Sequence, residues 1–192
     1  MNVLIVSATE NEIQIEPSTN CSILISGVGI LDTTYNLTKR LCYNKYDLAI
    51  NMGVAGSFNE NIKIGDVVEV FEDHISEIGY ESSNQFHTFK KFNIKTKFSV
   101  SERTNLIKAR GITVNKVHGK KSSIEEIKKR LNPDVESMEG AAFFKVCQDF
   151  NTPSMQIRAI SNVVEERNKS NWNLPLAIKN LNKEVKNIIN ML

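Results

Sequence analysis

The sequence predicts an α/β layered fold with a largely parallel sheet, and two observations carry that reading. Short apolar or β-branched runs alternate with segments whose apolar residues recur at helical spacing. No repeat, low-complexity tract or linker interrupts this alternation over 192 residues, a length that suits one domain spanning 1–192. Strands separated by helices pack as layers around a parallel sheet.

In chain order, Val3–Ser7 and Ser22–Ser26 read as strands. Leu31–Tyr43 reads as a helix on the spacing of Leu31, Tyr35, Leu37, Leu41 and Cys42. Leu48–Met52 is a buried strand ending at Gly53, and the valine-rich Asp66–Phe71 is another. Residues 72–99 are aromatic and polar without a clear period and read as loop with some strand. Glu102–Ala109 is predicted as a helix and Gly111–Val117 as a β-branched strand. Ser123–Leu131 is a helix with Ser122 or Ser123 as its cap and Glu125 and Glu126 in its first turn. Val135–Met138 is a short strand, Gly140–Phe150 an apolar helix, and Ser154–Ile160 a strand introduced by Pro153. Leu174–Leu192 is a terminal amphipathic helix with Leu174, Ile178, Leu181, Val185, Ile188 and Ile189 on one face.

Composition narrows the function. The chain is 41% hydrophobic and 24% charged with a net charge of +2, as expected of a soluble globular protein. It lacks the concentrated basic patch of a nucleic-acid or anionic-membrane binder, because Glu125 and Glu126 interrupt its densest lysine clusters. The N-terminus reads as a strand rather than a signal peptide, and no run approaches the ~18 apolar residues of a membrane span. Three scattered cysteines, Cys21, Cys42 and Cys147, suit buried thiols in a reducing cytoplasm.

In open α/β sheets ligands sit beyond the carboxyl ends of the strands. That rule directs attention to the residues after Ser7, Met52, Met138 and Ile160. There the sequence places Glu12, the run Gly53-Val54-Ala55-Gly56-Ser57, the run Met138-Glu139-Gly140, and Ser161-Asn162 with Arg158 just upstream. Each has an ordinary structural reading. Glu12 is a possible first-turn carboxylate, Glu139 a helix N-terminal charge, Asn162 an Asx-turn residue, and Arg158 a buried partner for Glu136 or Glu139. Met138 suits the core as well as a site. Their convergence on one rim argues for a site.

Three ordered segments carry a resemblance. Asn51-Met52-Gly53-Val54-Ala55-Gly56-Ser57 with Gly65-Asp66-Val67-Val68, Met138-Glu139-Gly140-Ala141-Ala142, and Arg158-Ala159-Ile160-Ser161-Asn162 resemble motifs of the purine nucleosidase/phosphorylase superfamily. Within it, Glu136 to Phe144, Ser161 to Asn168 with Trp172, and Gly111 to Gly119 look most like the futalosine hydrolases. The resemblance implies a three-layer αβα fold with a central mixed, largely parallel sheet. It also implies an N-glycosidase acting on a small-molecule nucleoside in the cytoplasm, without cofactor, and a homo-oligomer (dimer or higher). It puts Glu12 where methylthioadenosine/adenosylhomocysteine nucleosidases keep a catalytic glutamate, and assigns Glu139 to the ribose 2′- and 3′-hydroxyls.

The chemistry agrees with these residue types. Cleavage of an N-glycosidic bond builds positive charge on the ribose and negative charge on the departing base. Glu12 suits a general base for water, Arg158 its orienting partner, and Met138 a surface under the ribose or base. Gly53, Val54 and Ser161 are expected to line the substrate. Adenine-directed relatives usually carry Asp where Asn162 stands. A carboxylate opposes a 6-oxo group, whereas an amide can donate to O6 or N7, so Asn162 favours hypoxanthine.

Other chemistries are disfavoured. Gly27-Val28-Gly29 lacks the third glycine of a dinucleotide fingerprint, and Ser57 lacks the flanking glycines of a nucleophile elbow. His74, His87 and His118 are dispersed, so no metal is expected. Phosphorolysis lacks an early Gly-Asp-Pro loop with a matching arginine, the first arginine being Arg40 inside a helix. The remaining rivals are a methylthioadenosine/adenosylhomocysteine or aminofutalosine nucleosidase, and a nucleoside-binding sensor without catalysis. Retention of both Glu12 and Glu139 argues against the sensor. The aromatic group Phe86, Phe89, Phe92 and Phe98 reads as core or interface.

Overall fold

Val3 and Ile5 pack on one face of the first strand and Leu4 and Val6 on the other, so the strand is covered by helices on both sides. The structure is a computed structural model and describes residues 1–192 other than 84 and 90. Its strands are β1 (Val3–Ser7), β2 (Cys21–Ile25), β3 (Leu48–Ser57), β4 (Val67–Ile75), β5 (Tyr80–Ser82), β6 (Gln85–His87), β7 (Lys97–Ser99), β8 (Ile107–Thr113), β9 (Val135–Ser137) and β10 (Ser154–Val163). Its helices are α1 (Gly29–Tyr43), α2 (Lys121–Leu131), α3 (Gly140–Asp149) and α4 (Leu174–Met191).

The result is a mixed central sheet flanked by helices. β2, β1, β3, β10 pair in parallel, as do β4, β8 and β9, while β10–β4, β3–β9 and β4–β7 are antiparallel. Because β3 pairs with both β10 and β9, strands β3, β10, β4, β8 and β9 close into a ring. Ala55, Ile160, Val68, Ala109 and Val135, one from each ring strand, belong to a single packed cluster. α4 covers one face through Ala177, Leu181, Val185 and Ile188. α1 and α3 cover the other through Leu37, Leu41, Phe143, Phe144 and Cys147.

β3 positions the site. Its first half lies beside β1, with Val6 opposite Asn51, and its last two residues lie beside β9. Between these partners the edge of β3 is open, and the ends of β1 and β9 face each other across the gap.

Several sequence expectations need correction. Glu102–Ala109 is not a helix, and the strand expected from Gly111 to Val117 begins at Ile107 and ends at Thr113. The buried Glu69 carboxylate accepts the backbone N–H groups of Arg103 and Thr104, and residues 107–113 pair with β4 as strand. Gly53 to Ser57 is strand rather than a loop after Met52. The cap of α2 is Lys120, and its first turn holds no acid. Cys42 is exposed while Cys21 and Cys147 are buried. Phe98 is core, whereas Phe89 and Phe92 stack edge to face in an exposed cluster with Tyr80. No helix among the described residues is long and apolar enough to cross a membrane.

Candidate active site

The gap beside β3 opens into a cavity of about 330 Å³, at the small end of the usual range for small-ligand sites. Glu12, Val54, Met138, Glu139, Ser161 and Asn162 all line it. Gly53 and Arg158 form the layer behind. A larger recess of about 570 Å³, walled by Met1, Leu48 and Met155, lies at the opposite ends of the strands and holds none of the motif residues.

Glu12 ends a short 3₁₀ turn, Glu10–Glu12, for which Thr9 is the N-cap. Its Oε2 accepts from Ser7 Oγ at 3.2 Å, Thr9 Oγ1 at 3.1 Å and the Thr9 N–H at 3.3 Å. Its Oε1 accepts the Val54 N–H at 3.0 Å, the edge donor that β3 releases on leaving β1. From behind, the buried Asn182 of α4 donates to the Glu12 carbonyl at 2.9 Å and accepts the Gln14 N–H at 2.6 Å. Glycine at 53 is a steric requirement: a Cβ there would overlap Arg158 Nη1 and stand 3.0 Å from Glu12 Oε1. The Arg158 guanidinium and the Glu12 carboxylate therefore both approach the backbone of β3 at Gly53.

Glu139, 5% exposed, precedes α3 but turns away from it. Its Oε1 accepts the N–H of Gly29, the first residue of α1, at 3.0 Å, and its Oε2 lies 3.8 Å from Arg158 Nη1. A carboxylate at a helix N-terminus is electrostatically favoured. Of the two partners considered for Arg158, Glu139 is the one that faces it. Arg158 Nη2 also donates to Asn51 Oδ1, and Nε donates to Gln156 Oε1 at 3.0 Å.

Gln156 Nε2 donates onward to Asp73 Oδ2 at 3.0 Å, and Asp73 Oδ1 accepts from Thr113 Oγ1 at 2.8 Å. Thr113 Oγ1 in turn accepts the Ala141 N–H of α3. Burial pushes the Asp73 carboxyl up to about 6 from 3.8, against the hydrogen bonds from Gln156 and Thr113 and the charge of Arg158. The consequence for stability has a definite sign. A carboxyl raised in the fold favours the folded state while protonated, and that advantage is lost as pH climbs from the unfolded to the folded value. Asp73→Asn carries no such loss, so its stability relative to wild type should rise by about 3 kcal/mol across roughly pH 4 to 6 and then level off. Urea unfolding at several pH values measures this, and a constant difference would refute it.

At the opposite wall, Asn162 Oδ1 lies 2.8 Å from Ser161 Oγ, which donates to it, and Nδ2 donates to the Val163 carbonyl at 3.0 Å. The Val163 carbonyl, which can only accept, fixes which way the amide faces, and the second N–H of Nδ2 has no partner among the described residues. Met138 packs partly into the core and partly against the cavity.

Sequence reasoning missed three groups, His118, Glu136 and Asn182, as parts of the site. His118 and Glu136 line the cavity as a bonded pair. Trp172 lines it under the Arg167 guanidinium, 5.3 Å away. Asn182 was legible as a polar residue on the apolar face of α4. Among the described residues no cluster of three His, Cys, Asp or Glu side chains could hold a metal ion.

The comparisons with known proteins agree on the fold. The structure of futalosine hydrolase from Helicobacter pylori superposes with a TM-score of 0.85 at 17% identity, covering 99% of this chain and 97% of that one. The 5′-methylthioadenosine/S-adenosylhomocysteine nucleosidase of Neisseria meningitidis, in complex with methylthio-immucillin-A, superposes with a TM-score of 0.81 at 20% identity, covering 99% of both chains. The corresponding Helicobacter pylori nucleosidase gives 0.84 at 16% identity, covering 99% and 98%. The sequence profile of the phosphorylase superfamily matches residues 17–192, and the chain belongs to that superfamily.

Proposed function

We propose that the protein is a nucleoside hydrolase that cleaves futalosine to hypoxanthine and dehypoxanthine futalosine, a step of menaquinone biosynthesis. The observation that carries hydrolysis is the apposition of Glu12 and Glu139 on one cavity, with the Arg158 guanidinium against Glu139. In this reading the C1′–N9 bond breaks with its electron pair going to the base. Water adds to C1′ and gives a proton to Glu12, and the base takes up a proton. Glu139 accepts from the ribose hydroxyls, in bonds that strengthen as the ring gains positive charge. Arg158 faces Glu139, while Glu12 is held by Ser7, Thr9 and the Val54 N–H. Asn162 donates its free N–H to the base.

The test is a panel of purine nucleosides assayed for free base, with and without phosphate. Release of hypoxanthine from futalosine without phosphate is expected. A strict need for phosphate would make the protein a phosphorylase, and no release from any nucleoside would leave the sensor.

A second reading, a nucleosidase for adenine nucleosides, is favoured by the similarity to solved methylthioadenosine/adenosylhomocysteine nucleosidases. Asn162 separates the two. Asn162→Asp should shift the kcat/KM ratio of futalosine over its 6-amino analogue toward the amino compound. The expected size is on the order of 5–150-fold, the equivalent of one buried polar group left unpaired. An unchanged ratio would mean that Asn162 does not read the base. A wild-type preference for the amino analogue would establish the second reading.

A further inference from the structure

The mechanism above leaves one bonded pair in the cavity wall unused. His118 lies on the loop after β8, and Glu136 is the middle residue of β9. His118 Nδ1 stands 2.6 Å from Glu136 Oε2, and the His118 N–H donates to Glu136 Oε1 at 3.1 Å. The Glu136 side chain is 4% exposed and that of His118 12%. Phe58 meets the imidazole edge to face at 5.9 Å.

An ionised carboxylate can only accept, so the proton of this bond sits on Nδ1 and the tautomer is set. The ring then works through Nε2, which in the neutral imidazole is a bare acceptor and has no partner among the described residues. The neighbourhood is that of the proposed base reader: a Cβ on Gly56 would stand 3.1 Å from Asn162 Nδ2 and 3.6 Å from Glu136 Cγ. Next in sequence, the buried Ser137 Oγ also lacks a hydrogen-bond partner among the described residues. A carboxylate-anchored imidazole, a free amide N–H and an unpartnered hydroxyl on one cavity are a polar surface awaiting a polar ligand.

We infer that His118, held by Glu136, is a second specificity residue that accepts the N1–H of a 6-oxopurine through Nε2. The inference rests on the nucleoside-hydrolase reading. A 6-oxopurine carries a proton on N1. Adenine presents a lone pair there, and 1-methylhypoxanthine presents a methyl group. Both would leave Nε2 unpaired or opposed by another acceptor. Asn162 and His118 would then read adjacent parts of the same base, one as donor and one as acceptor. Glu136 acts only through the imidazole and is a positioning residue.

The experiment measures equilibrium binding of free hypoxanthine, adenine and 1-methylhypoxanthine by calorimetry, which needs no turnover. Glu136→Gln serves as the reference, because its amide oxygen still accepts Nδ1–H. The double variant His118→Phe/Glu136→Gln removes the acceptor without burying an unpaired carboxylate, and circular dichroism checks its fold. The wild type is expected to prefer hypoxanthine over both analogues by about tenfold or more, and the double variant to lose most of the preference that Glu136→Gln retains. Equal discrimination by Glu136→Gln and the double variant overturns the inference, as does a wild type that binds hypoxanthine no better than 1-methylhypoxanthine. Failure of the hydrolase reading shows separately, as absence of base release from any nucleoside by the wild type.

Discussion

Glu12→Gln is expected to lower turnover by roughly 10²–10⁴-fold while leaving substrate binding largely intact, the span usual for removal of a general base. Glutamine is close in size and keeps an oxygen for the Val54 N–H, the bond that ties the turn to β3. The turn is also held by Asn182 through the backbone carbonyl of residue 12, which the substitution does not touch. What changes is the ability to take a proton. The amide also opposes the Thr9 N–H donor, so a small loss of stability is expected and should be measured alongside. Free-base release in phosphate-free buffer, with substrate affinity followed separately, checks the assignment. Turnover near that of wild type would mean that water is activated elsewhere in the cavity.

How much of this was legible in the sequence depends on what made each feature. β1, α3 and α4 were placed to within a residue or two, because burial against flanking layers writes a periodic apolar pattern. The motif residues were found because they lie at strand ends, although β3 and β10 run farther than their apolar cores suggested. Glycines at 53 and 56 looked like turn residues, yet they sit inside a strand so that Arg158, Asn162 and Val164 can approach its backbone. Residues 102–109 look helical in isolation. They are drawn instead around Glu69, whose carboxylate also takes Thr104 Oγ1 at 2.7 Å and Lys108 Nζ at 2.6 Å. That is a tertiary override which no local pattern records. The His118–Glu136 pair escaped for a similar reason. The parallel pairing of β8 with β9 sets Glu136 opposite Ile112, the loop after β8 returns His118 to it, and nothing in their spacing announces it.

Arg158→Met is expected to cost roughly 3–5 kcal/mol of folding stability at neutral pH, the usual penalty for breaking a buried charged network from one side. Arg158 is 1% exposed and is the cation that faces Glu139. It is also the charge that holds Asp73 down against burial. Methionine fills much of the same volume, so the loss is mainly electrostatic rather than that of a cavity. The pH dependence separates these causes. Without the guanidinium the Asp73 carboxyl climbs above about 6 in the folded state. A carboxyl raised further in the fold contributes stability at low pH that is lost as pH rises through its folded value. Below about pH 6 Asp73 is protonated in both folded proteins, and its part of the deficit vanishes. Above that value wild type ionises Asp73 beside Arg158, while the variant must either ionise it uncompensated or keep it protonated. The deficit between the two proteins should therefore widen from pH 6 upward. Urea unfolding at pH 5, 6, 7 and 8 measures it, and Asp73→Asn in the Arg158→Met background should flatten the dependence. A deficit that stays constant over this range would show that packing alone, and not charge, fixes Arg158 beside Glu139.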